Sequence, residues 1–122
     1  MSILLLTSDL MCSSKVAAAA ARTGAALRSA MSSTAMLQQA GMAKTSLAII
    51  DLETAGLKVG EVVPQLRSLE APPGMIVAFG PHVHEAKLEA ARQAGCNAVL
   101  ARGQFYAQVD HLLREHGLAG DA

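Results

Sequence analysis

The sequence predicts an α/β fold, a parallel sheet of five strands with helices packed on both faces. Three observations carry this. Five short apolar runs alternate with five helix-forming segments, the pattern of crossover units. The clearest runs are continuously apolar, as strands covered on both faces must be. Polar groups gather directly after these runs, although 52% of the chain is hydrophobic. At 122 residues with 16% charged, one domain over 1–122 is expected, with its core over about 2–116.

Ile3 to Leu6 is the first apolar run and reads as a strand buried on both faces. Ser8 and Asp9 follow with N-cap chemistry, and Lys15 to Arg22 is a strong helix former closed by Gly24. Its alanines let a helix lie close against a sheet. Ala25 to Ala30 is a weak second strand. Ser32, Ser33 and Thr34 cap a short helix that runs through Gln39 and is stopped by Gly41. Ser46 to Ile50 is the third strand and ends in Asp51. Val59 to Leu69 is helical, with Val62, Val63, Leu66 and Leu69 on one stripe. Pro64 places the start of that helix near Gly60 or Glu61. Met75 to Phe79 is the fourth strand, followed by Gly80 and Pro81. Val83 to Ala94 is a helix closed by Gly95, Ala98 to Leu100 a short fifth strand, and Gln104 to His116 the last helix. Leu118 to Ala122 is expected to fray.

Parallel strands joined by right-handed crossovers present all their C-terminal ends on one edge, where open α/β sheets carry their sites. That edge collects Thr7, Ser8 and Asp9 from strand one, Asp51 and Glu53 from strand three, Gly80, Pro81 and His82 from strand four, and Arg102 and Gly103 from strand five.

Composition excludes several functions. Ten basic and ten acidic residues cancel, which argues against nucleic-acid binding by bulk charge. Two Phe, one Tyr and no Trp leave no base-stacking platform. The apolar run Ile3 to Leu6 is too short for a secretory segment or a membrane span. Cys12 and Cys96 have no C-x-x-C spacing and read as free thiols of a cytoplasmic protein. Thr7 to Cys12 contains no glycine, which argues against a flavin or dinucleotide phosphate loop. No nucleophile elbow is present to support hydrolase chemistry.

The order and length of these elements, the acid after strand one, Asp51 at the end of strand three, and the segment Ala94-Gly95-Cys96-Asn97-Ala98-Val99-Leu100-Ala101-Arg102-Gly103-Gln104-Phe105 together resemble response-regulator receiver domains. The resemblance covers roughly residues 2 to 116. It implies the flavodoxin-like, CheY-like doubly wound sheet in the order 2-1-3-4-5. It further implies that Asp51 stands at the phospho-acceptor position, and that Ser8 and Asp9 stand where the family holds Mg²⁺ with two acids. In the alternative register those positions are Thr7 and Ser8. The hydroxyl residue that relays the family's switch falls on Gly80, the lysine on Arg102, and the following proline on Gly103. Asp9 and Asp51, with the carbonyl of Glu53, are the remaining Mg²⁺ candidates. Arg102 keeps the charge of a lysine but not its geometry.

Each candidate also has a plain structural reading. Asp51 orders a loop, Asp9 caps the first helix, and Glu53 is a solvated loop charge. His82 caps a helix or bonds to Asp51, with His84 in solvent. The alternative is that the pair binds Zn²⁺ or Cu²⁺ with a carboxylate. Arg102 pairs with Asp51. Cys12, near a helix N-terminus, has a lowered thiol pKa. Tyr106 is the odd member of the apolar stripe on the last helix and reads plainly as partly buried; the resemblance implies a partner contact there, on the face formed by the last two helices with strand five between. The expected function is that of a stand-alone atypical receiver, a pseudo-receiver. It would act in two-component signalling by contact with a protein partner or as a homodimer, without enzymatic activity and with weak or no phosphorylation of Asp51. The alternative is a small metal- or ligand-binding protein or enzyme using Asp51, His82, His84 and Arg102.

Overall fold

A computed structural model describes residues 2–117. The elements run β1 (Ser2–Leu6), α1 (Leu10–Thr23), β2 (Leu27–Ala30), α2 (Ser33–Met42), β3 (Thr45–Asp51), α3 (Val59–Arg67), β4 (Met75–Gly80), α4 (Glu85–Ala94), β5 (Ala98–Ala101) and α5 (Arg102–Gly117). All strand pairs are parallel, in the order β2-β1-β3-β4-β5. The predicted fold class and strand order are therefore the observed ones. The expected fraying of 118–122 lies outside the described residues.

The apolar runs become strands because both of their faces are covered. Successive strand side chains point to opposite faces, and the core divides accordingly. Ile3, Leu5, Leu47, Ile49, Val77 and Phe79 pack with Cys12, Val16, Phe105 and Val109 of α1 and α5. Leu4, Leu6, Ala48, Ile50, Ile76 and Ala78 pack with Met36, Val63, Leu66, Leu88 and Ala91 of α2, α3 and α4. β3 lies between β1 and β4 and is buried along its whole length.

Local chemistry sets the helix ends. Asp9 caps α1 by accepting from the Met11 N–H at 2.9 Å, and Ser32 caps α2 by accepting from the Ala35 N–H at 3.1 Å. Gly24 and Gly95 end α1 and α4 in the left-handed region, which glycine enters without a Cβ penalty. Several boundaries differ from expectation. α2 passes through Gly41 to Met42, because glycine lowers helix stability without forbidding it and Gly41 keeps a negative φ. α3 begins at Val59 and contains Pro64. The Gly60 carbonyl that proline leaves without a helical partner belongs to an exposed residue. α4 begins at Glu85, two residues after Val83, and α5 begins at Arg102, directly off β5.

Both cysteines are free thiols. Burial pushes Cys96 up to about 11, against the nearby charge of Arg67. Cys12 is buried in the α1–α5 core, and the same desolvation raises its thiol. This corrects the expected lowering by the helix N-terminus: withdrawal from water outweighs the helix dipole.

Two outcomes are expected. Thiol reagent at neutral pH should modify the native protein slowly and both cysteines rapidly after unfolding; prompt labelling of folded protein would contradict the burial. Asn97 Oδ1 accepts from the Ile76 N–H at 2.7 Å and from Arg67 at 2.8 Å, tying β4 to the turn before β5. Asn97→Ala should cost about 1–3 kcal/mol in chemical denaturation, since it orphans a buried N–H. Asn97→Asp, which keeps the acceptor, should cost less.

Candidate functional site

The strand order reverses between β1 and β3. The β1–α1–β2 connection leaves in one direction and β3–α3–β4 in the other, so a crevice opens between the C-terminal ends of β1 and β3. Thr7 and Asp51 face each other across it. Both are buried, and Asp51 is only 1% exposed. The Thr7 hydroxyl donates to Asp51 Oδ2 at 2.7 Å, and the Glu53 N–H donates to Asp51 Oδ1 at 2.9 Å. The Asp51 carbonyl accepts from the Thr54 N–H at 3.0 Å and from its hydroxyl at 2.6 Å. The Asp9 N–H donates to Thr7 Oγ1 at 3.1 Å, and Ser8 Oγ accepts from the Ala55 N–H at 3.1 Å. Two contacts, Thr7 to Asp51 and Ala55 to Ser8, tie the β1–α1 and β3–α3 loops together, and the others order each loop internally.

A second layer reaches α4. Glu53 pairs with Lys87 through one carboxylate oxygen and lies 3.1 Å from His84 Nδ1 through the other. The Lys87 ammonium, bonded to it, is the main cause that holds the Glu53 carboxyl below its usual range; partial burial opposes this, and the charges of His84 and Arg102 add to it. Between this loop and α4 lies a groove of about 610 Å³, whose apolar lining includes Leu52, Leu57, Val59, Ala86 and Ala90.

Several expected roles are corrected. Asp9 caps α1 with an exposed carboxylate, as its plain structural reading has it, and the residue bonded to Asp51 from strand one is Thr7. Arg102 forms no ion pair with Asp51 within 4 Å; its charge is felt instead at Glu53 and Tyr106. His82 is exposed and makes no bond to Asp51, whereas His84 is the imidazole that engages a carboxylate, that of Glu53. Glu53 is therefore a paired bridge to α4. Gly80 sits at the end of β4, where a Cβ would lie 3.3 Å from Leu52 Cβ and 3.7 Å from a Leu88 methyl. Apolar side chains thus occupy the space beside it. Tyr106 turns toward α1: Lys15 Nζ lies 4.7 Å above its ring centroid, and with Lys15, Ala18, Arg22 and Val109 it lines a cavity of about 350 Å³.

No group of three or more His, Cys, Asp or Glu converges among the described residues. Asp51 contributes both carboxylate oxygens to hydrogen bonds already made, and its neighbours from strand one are hydroxyls. Hard divalent cations are usually held by one or two carboxylates with further oxygens; at this edge the Asp51 carboxylate lies with the hydroxyls of Thr7 and Ser8.

Sequence reading missed two site residues, Thr54 and Lys87. Thr54 carried a usable signal, as a hydroxyl three residues past a strand-ending aspartate, a common loop-closing pattern. Lys87 carried none, since a lysine on an exposed helix face looks like any solvated charge.

No family model and no curated protein matches the chain. Solved structures do. The receiver domain of a sensor histidine kinase from Pseudomonas aeruginosa PAO1, with a magnesium ion coordinated in its active-site cleft, superposes with a TM-score of 0.80 at 19% identity, over 94% of this chain and 95% of that one. A putative response regulator from Chloroflexus aurantiacus gives 0.78 at 18% identity, over 93% and 94%. The receiver domain of NtrX from Brucella abortus gives 0.77 at 15% identity, over 97% and 99%. The backbone arrangement and strand order of this chain are those of the response-regulator receiver fold.

Proposed function

We propose that this chain is a receiver-fold signalling module that works by protein contact and not by phosphoryl transfer to Asp51. The observation that carries the reading is the Thr7 hydroxyl seated on Asp51 Oδ2 at 2.7 Å. Phosphorylating a carboxylate adds negative charge, which a site must neutralise with metal ions and cations. Here the strand-one residues that meet the Asp51 loop are Thr7 and Ser8, Asp9 is a helix cap, and Arg102 is unpaired with Asp51. The Pseudomonas receiver holds magnesium in its cleft; this crevice offers the single buried carboxylate of Asp51, flanked by the hydroxyls of Thr7 and Ser8. The loops instead stand in one state, tied by hydroxyl and backbone bonds, without catalytic chemistry.

The same edge offers a surface for partners. Leu10, Met11, Met31 and Val83 are 62–73% exposed and follow β1, β2 and β4, around the crevice. Large apolar side chains gathered at one edge favour a protein partner or a second copy of the chain.

Titrating labelled protein with Mg²⁺ and then beryllofluoride in two-dimensional NMR tests the reading. The amides of Thr7, Asp51, Glu53 and Arg102 should stay in place; saturable shifts centred on them would overturn it. Gly80→Thr restores a hydroxyl at the end of β4 but crowds Leu52. It should cost about 1–3 kcal/mol by overpacking and leave the beryllofluoride response absent. A Leu52→Ala background should recover part of that loss, and no recovery would place the strain elsewhere.

A further inference from the structure

We propose that the cavity between α1 and α5 is a binding site for a small organic acid, one carboxylate on an apolar body. The cavity holds about 350 Å³ and is lined by Lys15, Ala18 and Arg22 of α1 and by Tyr106 and Val109 of α5. That size falls within the range of small-molecule pockets. The site lies in the α1–α5 layer, apart from the groove between Glu53 and α4, and does not rest on the signalling reading above.

The walls follow from helical spacing. Lys15, Ala18 and Arg22 stand three and four residues apart and share one face of α1; Tyr106 and Val109, three apart, share one face of α5. Ala18 puts only a methyl between two long cationic side chains, and the hollow exists for that reason. The lining between the cations is apolar: the Ala18 methyl, Val109 and the Tyr106 ring. The ring is fixed from behind by Phe79, with centroids 6.1 Å apart, and by Phe105 at 5.3 Å. The cavity therefore stands formed before anything enters it.

Charge decides the occupant. α1 contains no acidic residue. Arg22 pairs with Asp110 of α5, donating from Nε at 3.2 Å and from Nη2 at 2.9 Å. Those bonds hold the guanidinium plane in place and use two of its five donors. Lys15 has no carboxylate within 4 Å among the described residues. Its ammonium lies 4.7 Å from the Tyr106 centroid, above the ring. A ring face attracts a cation and leaves its three N–H donors free for an oxygen acceptor. Two cations against one committed carboxylate leave the rim positive. A carboxylate takes donors from Lys15 and Arg22 while its apolar body covers Ala18 and Val109. A neutral molecule gains only the apolar contact, and a cation is repelled.

Tyr106 is the single tyrosine and the chain has no Trp, so intrinsic emission reports this cavity wall directly. Cyclohexanecarboxylate, transparent where tyrosine absorbs, is the probe; cyclohexylmethanol and cyclohexylamine are its neutral and cationic counterparts. The acid should change Tyr106 emission saturably in the millimolar range, the affinity open to a ligand of its size, and shift the Ala18 and Val109 resonances. At matched ionic strength the alcohol should bind about threefold more weakly or worse, and the amine not at all. Lys15→Gln should weaken the acid about threefold or more, the size of an exposed ion pair. That variant is read from the Val109 resonances, since it also removes the ammonium from the ring. Ala18→Leu, at an exposed helix position that leucine suits, should fill the hollow and abolish binding. Retained dispersion of the β3 and β4 amides identifies variants that are folded. No saturable response to the acid, equal affinity for the alcohol or the amine, or unchanged binding in folded Lys15→Gln or Ala18→Leu would overturn the site.

Discussion

A carboxylate buried at the end of the central strand is the constraint around which the functional edge is arranged. β3 must be apolar and covered to seat the sheet between two helical layers. Its last residue is Asp51, with almost no surface in water. A buried charge is tolerated only where hydrogen bonds or countercharges replace hydration. No cation lies within ion-pair distance of it among the described residues. The Thr7 hydroxyl and the Glu53 N–H each donate to one of its carboxylate oxygens. The neighbouring loops follow from this, since each must place a donor at a set point.

Glu53 extends that arrangement. Its backbone serves Asp51 while its side chain meets Lys87 and His84, so one residue connects the end of β3 to the first turns of α4. The ion pair itself is partly exposed, and such pairs contribute little stability. Its consequence is positional: the loop and helix share a register. Beside it, Leu52 and Leu88 close over Gly80. A side of the crevice that a polar switch would need is therefore packed with hydrocarbon. Polar connectivity runs instead toward β1 and the start of α1; beneath it Phe79 of β4 and Phe105 of α5 stack at 4.1 Å.

Much of the fold was legible in the sequence, because burial on two faces leaves a plain record. Ile3 to Leu6 and Ser46 to Ile50 carry no charge, and Gly24 and Gly95 mark helix ends by their backbone freedom. The edge was legible as a list of residues and much less as a set of contacts. Asp9 and Thr7 lie two residues apart, and only the exit angle of β1 decides which meets Asp51. His82 and His84 likewise exchange their expected roles once α4 starts at Glu85. Gly41 reads as a stop, yet packing of Met36 and Ala40 against the sheet carries α2 past it. Cys12 reads as an activated thiol from position alone, while its environment is set by α5, ninety residues away in sequence and invisible to local pattern.

The most direct test of the account is a double-mutant cycle on the stability of the folded chain, with Thr7→Val, Asp51→Asn and the two together measured by chemical denaturation. If Thr7 is the hydrogen-bond donor that makes burial of Asp51 tolerable, the two changes are coupled by about 1.5–3 kcal/mol, the range for a hydrogen bond to a charged group. Thr7→Val should then be costly alone and nearly harmless once Asp51 is neutral. Strict additivity of the two changes would contradict the account, because the carboxylate would then owe its place in the core to something other than Thr7.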